Sequence, residues 1–303
     1  MKIQNAGKWL FLSITIIWSI SAVMAQKPNP PAKVSKPAIF AVLNDGKSLE
    51  PVAVINKGKL EAPANGSDEQ NIIAAFNRTY YKPGTVYRLI FGSADAGTVT
   101  VKSADAKSEC GKNVAEAITK ANKTPLKGLV MGLATNAAGK TSSAGLRRKP
   151  TPAEKKEMET LVRARFLKEK LSPKALRFQN LTALDVDKDG NVEFVGSYWM
   201  EIDKLTRGLL FFIASKDASG KYSFGYDQYR FVDQANVMSG EIKSVDDGVY
   251  HELLLDAFDY DDDGTAEVFT YQQSFEGSEF YAYHKDGGKW TRAFEYSNYH
   301  CGY

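Results

Sequence analysis

Cysteine is nearly absent from this chain. The 303 residues hold two, Cys110 and Cys301. That is too few for a small disulfide scaffold, and without a C-x-x-C the pair offers neither a redox dithiol nor a zinc ribbon. In an oxidising compartment an even pair favours one disulfide, here Cys110 to Cys301. The alternatives are two free thiols or a bond to another molecule. Histidine is equally scarce: His251, His284 and His300 each sit in a strand-like run beside aromatics. There is no H-E-x-x-H, no G-x-x-x-x-G-K-[ST] and no G-x-S-x-G, so the zinc-protease, P-loop and serine-hydrolase signatures are missing. After residue 25 no apolar run approaches the roughly twenty residues of a membrane helix.

What is present begins with an export signal. Lys2 and Lys8 form a positive start, Trp9 to Val23 is apolar, and Val23-Met24-Ala25 is a small-residue cleavage site. Residues 1–25 therefore read as a signal peptide. The mature chain is expected to be exported, periplasmic or extracellular, with no transmembrane segment after cleavage. Residues 26–37, rich in Pro and Lys, read as a disordered leader.

The formal charge of +3 conceals a polarity. Residues 26–180 carry 27 Lys and Arg against 13 Asp and Glu, whereas residues 181–303 carry 10 against 23. Such asymmetry marks a change of module near residue 180. The basic part could dock on the acidic part, or it could offer a patch to an anionic polymer. The basic residues have little aromatic interleaving, which argues against nucleic acid as a partner.

Punctuation along the chain divides it further. Ile39–Leu43, Pro51–Ile55, Tyr87–Phe91, Thr98–Lys102 and Leu129–Ala134 read as strands between turn residues. Asn71–Phe76 reads as a short helix capped by Ser67 or Asp68. Together they predict a small α+β domain over 38–136. Residues 137–176 then form a linker and a basic amphipathic helix. Thr151, Pro152 and Glu154 make a capping box with Pro at the first helical position. Met158, Leu161, Val162 and Phe166 supply the apolar stripe. Residues 177–303 are almost wholly strand-like, an acidic β-domain of short antiparallel strands.

Two loops in that domain share one pattern, 74 residues apart: Asp185-Val-Asp187-Lys-Asp189-Gly190-Asn191-Val-Glu193 and Asp259-Tyr-Asp261-Asp-Asp263-Gly264-Thr265-Ala-Glu267. Both read D-x-D-x-D-G-x-x-E between strand-like runs. Acids at alternate positions supply hard oxygen ligands for Ca2+, and the glycine permits a turn with positive φ. An EF-hand would need flanking helices and a carboxylate at loop position 12, where this chain has Gly196 and Thr270. The loops resemble instead the calcium loops of FG-GAP and VCBS repeats, found in integrin-type propellers and many secreted bacterial proteins. The resemblance covers the C-terminal part only; the N-terminal part resembles no characterised family. It departs from the pattern in ending on Glu rather than Asp and in lacking the Phe-Gly…Gly-Ala-Pro element. It implies side-chain ligation by Asp185, Asp187 and Asp189 and by Asp259, Asp261 and Asp263. Asn191 and Thr265 would ligate through their carbonyls, and Glu193 and Glu267 would complete the shells. Two repeat units fall short of the four blades of a propeller.

The fold expected is therefore mainly β. A C-terminal antiparallel sandwich or incomplete propeller-like sheet carries two calcium hairpin loops, beside the small α+β domain and its linking helix. The function expected is non-enzymatic, an envelope or extracellular binding or adhesion module for an unknown protein or glycan, with two structural Ca2+ ions. The alternative is a secreted hydrolase using a glycosidase-like carboxylate pair drawn from Glu201, Asp203, Glu276 and Glu279.

Overall fold

Alternation along the first strands decides the architecture. In a computed structural model of the protein, residues 35–122, 130–139, 147–172, 175–217, 219–237 and 244–301 are described. Residues 1–34, where the sequence leads one to expect a signal peptide and most of a leader, lie outside them. β1 (Ala38–Leu43) sends Phe40 and Val42 to one side and Ile39, Ala41 and Leu43 to the other, and every residue of it is buried. A strand buried on both faces needs a covering layer on each. β1 pairs with β2 (Ser48–Asn56) on one edge and β7 (Val130–Thr135) on the other. The order continues through β4 (Val86–Ile90), β5 (Asp95–Ala104) and β6 (Ala115–Ala121) back to β2, with β3 (Lys59–Glu61) outside it. The sheet is thus a closed ring of six antiparallel strands. Its last seam is short, Ser48 to Glu116 and Leu49 to Ala115.

Among the described residues of this region there is one helix, α1 (Gln70–Tyr80), which packs one face against the core of the ring and leaves the other exposed. Its buried residues Ile73, Phe76, Asn77 and Tyr80 fall on one helical face. The Phe76, Tyr80, Tyr81 and Tyr87 rings cluster about Phe40, with Phe40 and Tyr87 4.8 Å apart. The expected cap is corrected. Glu69 occupies the N-cap position without a side-chain hydrogen bond, while Asp68 accepts from the Asn65 N–H and so closes the turn before the helix. The helix also runs past Phe76. β3 and β6 were not anticipated; β6, AEAITKA, has the composition of a helix, and pairing with β5 overrides it.

Two further sheets follow. β9 (Leu176–Leu184), β10 (Glu193–Glu201), β11 (Thr206–Lys216) and β12 (Tyr222–Asp233) form a meander that the two-residue β8 (Arg147–Arg148) extends beside β9. β13 (Glu252–Phe258), β14 (Glu267–Gln273), β15 (Gly277–Asp286) and β16 (Lys289–Tyr299) form a second meander. This mainly antiparallel β character matches the expectation. The second meander is buried on both faces. Phe258, Phe269 and Phe280 meet Ile39, Leu133 and Val52 on the outside of the ring. Val268, Tyr281, Tyr283 and Trp290 meet Val195, Phe211 and Ile213 of the first meander. The far side of the first meander is covered by α2 (Pro152–Lys168), through Met158, Val162 and Phe166.

The α2 start follows the sequence closely. Thr151 and Glu154 form the capping box, and Arg148 grips Glu154 through two 2.8 Å bonds. The Arg148 hydrogen bonds, with help from Thr151 against burial, hold the Glu154 carboxyl down at about 2. A disulfide joins Cys110, in the β5–β6 loop, to Cys301 after β16. Among the described residues no helix is long and apolar enough to cross a membrane.

Candidate metal centre

The two acidic loops occupy equivalent places in their hairpins. The last ladder pair before the first is Leu184 with Glu193, and before the second Phe258 with Glu267. Their backbones then follow one course. Lys188 and Gly190 have φ of 60° and 84°; Asp262 and Gly264 have 65° and 101°. A Cβ at either glycine would meet nothing within 4 Å, so conformation rather than space calls for glycine there. The Gly190 N–H donates to Asp185 Oδ2 at 3.2 Å, and the Gly264 N–H donates to Asp259 Oδ2 at 3.2 Å. Asn191 N–H donates to Asp189 Oδ1 and Thr265 N–H to Asp263 Oδ1. The loops also touch: Ala266 N–H donates to the Val186 carbonyl at 2.8 Å.

Carboxylates converge in both. Asp185, Asp187 and Glu193 each bring an oxygen within 4.8 Å of the others, as do Asp259, Asp261 and Asp263. Either group could hold a metal ion. The two triads differ: Asp189 stands outside the first, tied to Asn191, and Glu267 stands outside the second. Asp185, Glu193, Asp259 and Glu267 are all at least nine-tenths buried. Asp185 Oδ1, Asp187 Oδ1, Asp259 Oδ1 and Glu267 Oε2 are buried without a hydrogen-bond partner. A buried carboxylate oxygen left alone is costly, and several converging ones more so. A cation bound by oxygen ligands would relieve them. An all-carboxylate donor set suits a hard cation rather than a thiolate-loving one.

Electrostatics carries the same signature. Burial raises the Asp259 pKa; the Gly264 hydrogen bond opposes it, and Asp263 and Asp261 reinforce it. Burial likewise raises Glu193, against the Lys285 hydrogen bond. Glu267 is pushed up to about 7 by burial, partly offset by its bond to His284.

Sequence reasoning missed the two side chains that answer these acids. Lys285 Nζ donates to Asp187 Oδ2 and Glu193 Oε1, each at 2.7 Å. His284 Nδ1 lies 2.9 Å from Glu267 Oε1. Both sit at the end of β15, far along the chain from the first loop, with no local signal of their role. His251 is packed, and burial with Arg230 nearby pushes it down to about 4. His300 bonds Glu50 at 2.7 Å, beside a cavity of about 590 Å³ at one end of the ring.

The carboxylates nominated for hydrolysis have local duties or face solvent. Asp203 accepts from the Leu205 N–H, Glu279 accepts from Gln272 and Tyr281, and Glu201 and Glu276 are exposed. Glu50, at the cavity, accepts from Asn298, His300 and Ser278.

One buried acid outside the loops has a measurable consequence. Glu252, 3 % exposed, accepts from the Thr270 and Tyr283 hydroxyls at 2.5 and 2.8 Å. Burial outweighs those bonds and the nearby Arg292 and Arg230, and pushes its pKa to about 7. The native state then holds this proton more tightly than the unfolded chain. Its contribution is full below the unfolded carboxyl range, near pH 4, and is lost as pH rises through about 7. Relative to the parent, Glu252→Gln should gain about 2 kcal/mol between pH 5 and pH 8. Urea unfolding of both proteins at the two pH values checks this; an identical difference at both would contradict it.

No family model, no curated protein and no solved structure matches the chain.

Proposed function

We propose that this is an exported β-protein whose two acidic hairpin loops each bind a calcium ion, and that it acts by binding a protein or glycan at the cell envelope or outside the cell. The observation that carries the reading is the repeated loop. Two hairpins 74 residues apart share positive-φ positions, hydrogen bonds and buried, unpartnered carboxylate oxygens. The likeness to FG-GAP and VCBS calcium loops supports it, as does the oxygen-only donor set. Export is supported by the basic-then-apolar start of the sequence and by the disulfide, a bond that persists in oxidising compartments.

The ions are assigned a structural role. Each loop closes a hairpin, and the two hairpins belong to the two meanders that face one another across a shared core. Binding surfaces are available on the first meander. Trp199 lies beneath Arg177 and Arg207 and beside His251, and Phe178 and Phe231 are exposed. The hydrolase reading has less support, because Glu50, the buried acid at the cavity, already has both oxygens bonded.

Calorimetric titration of the protein with Ca2+, with Mg2+ as control, tests the reading. Two calcium ions per chain are expected, with Kd up to about 10⁻⁴–10⁻³ M, as in extracellular modules. The double variant Asp187→Ala/Asp261→Ala should bind neither. Undiminished binding in that variant would refute the assignment of the loops.

A further inference from the structure

The two loops are alike in backbone and unlike in charge. The first carries four carboxylates, Asp185, Asp187, Asp189 and Glu193; the second carries five, Asp259, Asp261, Asp262, Asp263 and Glu267. Lys285 enters only the first. Its side chain is 13 % exposed, and its ammonium sits 2.7 Å from both Asp187 and Glu193. It therefore uses two of the three residues that converge there. In the second loop the corresponding neighbour is an imidazole rather than an ammonium: His284 Nδ1 lies 2.9 Å from Glu267 Oε1, outside the converging triad, and its Nε2 comes no nearer than 4.0 Å to Asp263 Oδ2.

We infer that Lys285 is a tethered cation that competes with the divalent ion for the first loop, so that the second loop fills before the first. The inference rests on the calcium reading and adds an order to it. A calcium ion needs its oxygen ligands at about 2.3–2.6 Å. To take Asp187 and Glu193 it must either displace the ammonium or share carboxylates with it across a short, poorly screened distance. Displacement breaks two charge-assisted hydrogen bonds, and sharing sets two positive charges side by side. Both lower the affinity of the first loop. Among the described residues no ammonium pairs with the converging Asp259, Asp261 and Asp263, and the number of carboxylates left to the ion is a main determinant of calcium affinity.

Lys285 also serves to hold the first loop together before an ion binds. The ammonium neutralises part of a cluster that would otherwise repel itself open, and it is delivered by β15 of the neighbouring meander. In the absence of calcium, the first loop is thus expected to stay ordered while the second is the looser.

Calcium titration of four proteins tests the order: the parent, Lys285→Met, Lys285→Gln and Asp261→Ala, each first shown to be folded by circular dichroism. The parent should bind in two phases whose affinities differ by at least about tenfold, or about 1.4 kcal/mol. Asp261→Ala should remove the tight phase and leave the weak one. Both Lys285 variants should raise the weak phase by about tenfold and leave the tight phase unchanged. If the weak phase is unchanged in both Lys285 variants, or if Asp261→Ala removes the weak phase instead, the tethered cation is refuted while the calcium reading stands. If neither the parent nor the Lys285 variants bind calcium, the calcium reading itself falls and this inference with it.

Discussion

Replacing Cys110 and Cys301 with serine, or reducing their disulfide, should destabilise the protein by about 5 kcal/mol. The bond closes a loop of 191 residues. On the chain-entropy account, a loop of that length confines the unfolded ensemble by about this amount, close to the upper end of what a single disulfide contributes. Non-covalent links beside it work in the same direction. Asn298 accepts from the Gly66 N–H, the Asn113 side chain and the Tyr296 hydroxyl and donates to Glu50, and His300 also bonds Glu50. These hold the end of β16 against the ring in the native state, so loss of the disulfide should act chiefly on the unfolded state. Guanidinium unfolding with and without reductant should therefore show a lower midpoint and a steeper dependence on denaturant, since the freed unfolded chain exposes more surface. A loss below about 1 kcal/mol with an unchanged slope would contradict this.

Asp256→Ala should cost about 3–5 kcal/mol, more than any other single substitution considered. Asp256 is fully buried at the bulge of β13. Its carboxylate accepts from the Gly92 and Ser93 N–H groups of the β4–β5 turn at 2.8 Å each, from its neighbour Ala257, and from Arg147 Nη1 at 2.7 Å. Arg147 also donates to the Leu255 carbonyl and stacks over Phe91 at 4.4 Å. One side chain thus joins the closed ring, the second meander and the segment leading into α2. Its removal leaves a largely buried guanidinium without its carboxylate and deprives three backbone N–H groups, of Gly92, Ser93 and Ala257, of this acceptor. Urea unfolding checks the magnitude. In the double variant Asp256→Ala/Arg147→Met the total loss should be smaller than the sum of the single losses, because the orphaned cation is removed as well. Additive losses would mean that the pair does not interact.

Local signals were legible in the sequence where one residue dictates one geometry. Thr151, Pro152 and Glu154 specify the start of α2, and the structure forms that capping box with its partners. The two D-x-D-x-D-G patterns fall in hairpin turns as expected, because the strand pairs on either side and the positive-φ glycines are local features. The β-branched and aromatic runs were strands. The disulfide between the two cysteines is present.

What was hidden depends on contacts distant in sequence. β1 gives no sign that it pairs with β2 and with β7 at once, yet that choice closes the ring. β6 is poor in β-formers and is a strand because β5 pairs with it. Asp256 lies in an apolar run, with its four donors 1 to 164 residues away. Lys285 reaches Asp187 across 98 residues. A buried acid in a strand signals only that some partner must exist; three-dimensional pairing alone identifies it.

Thermal unfolding of the protein in EDTA, then in millimolar calcium, with magnesium as control, tests the central claim most directly. An ion that binds the native state alone stabilises it by about 2.7 kcal/mol per site at a hundredfold excess over Kd. For a chain of this size that is a rise of several degrees per site. The account predicts a calcium-specific rise that is absent from the Asp187→Ala/Asp261→Ala variant. An unchanged melting temperature in calcium, or an equal rise in the variant, would contradict it and reduce the two loops to acidic turns.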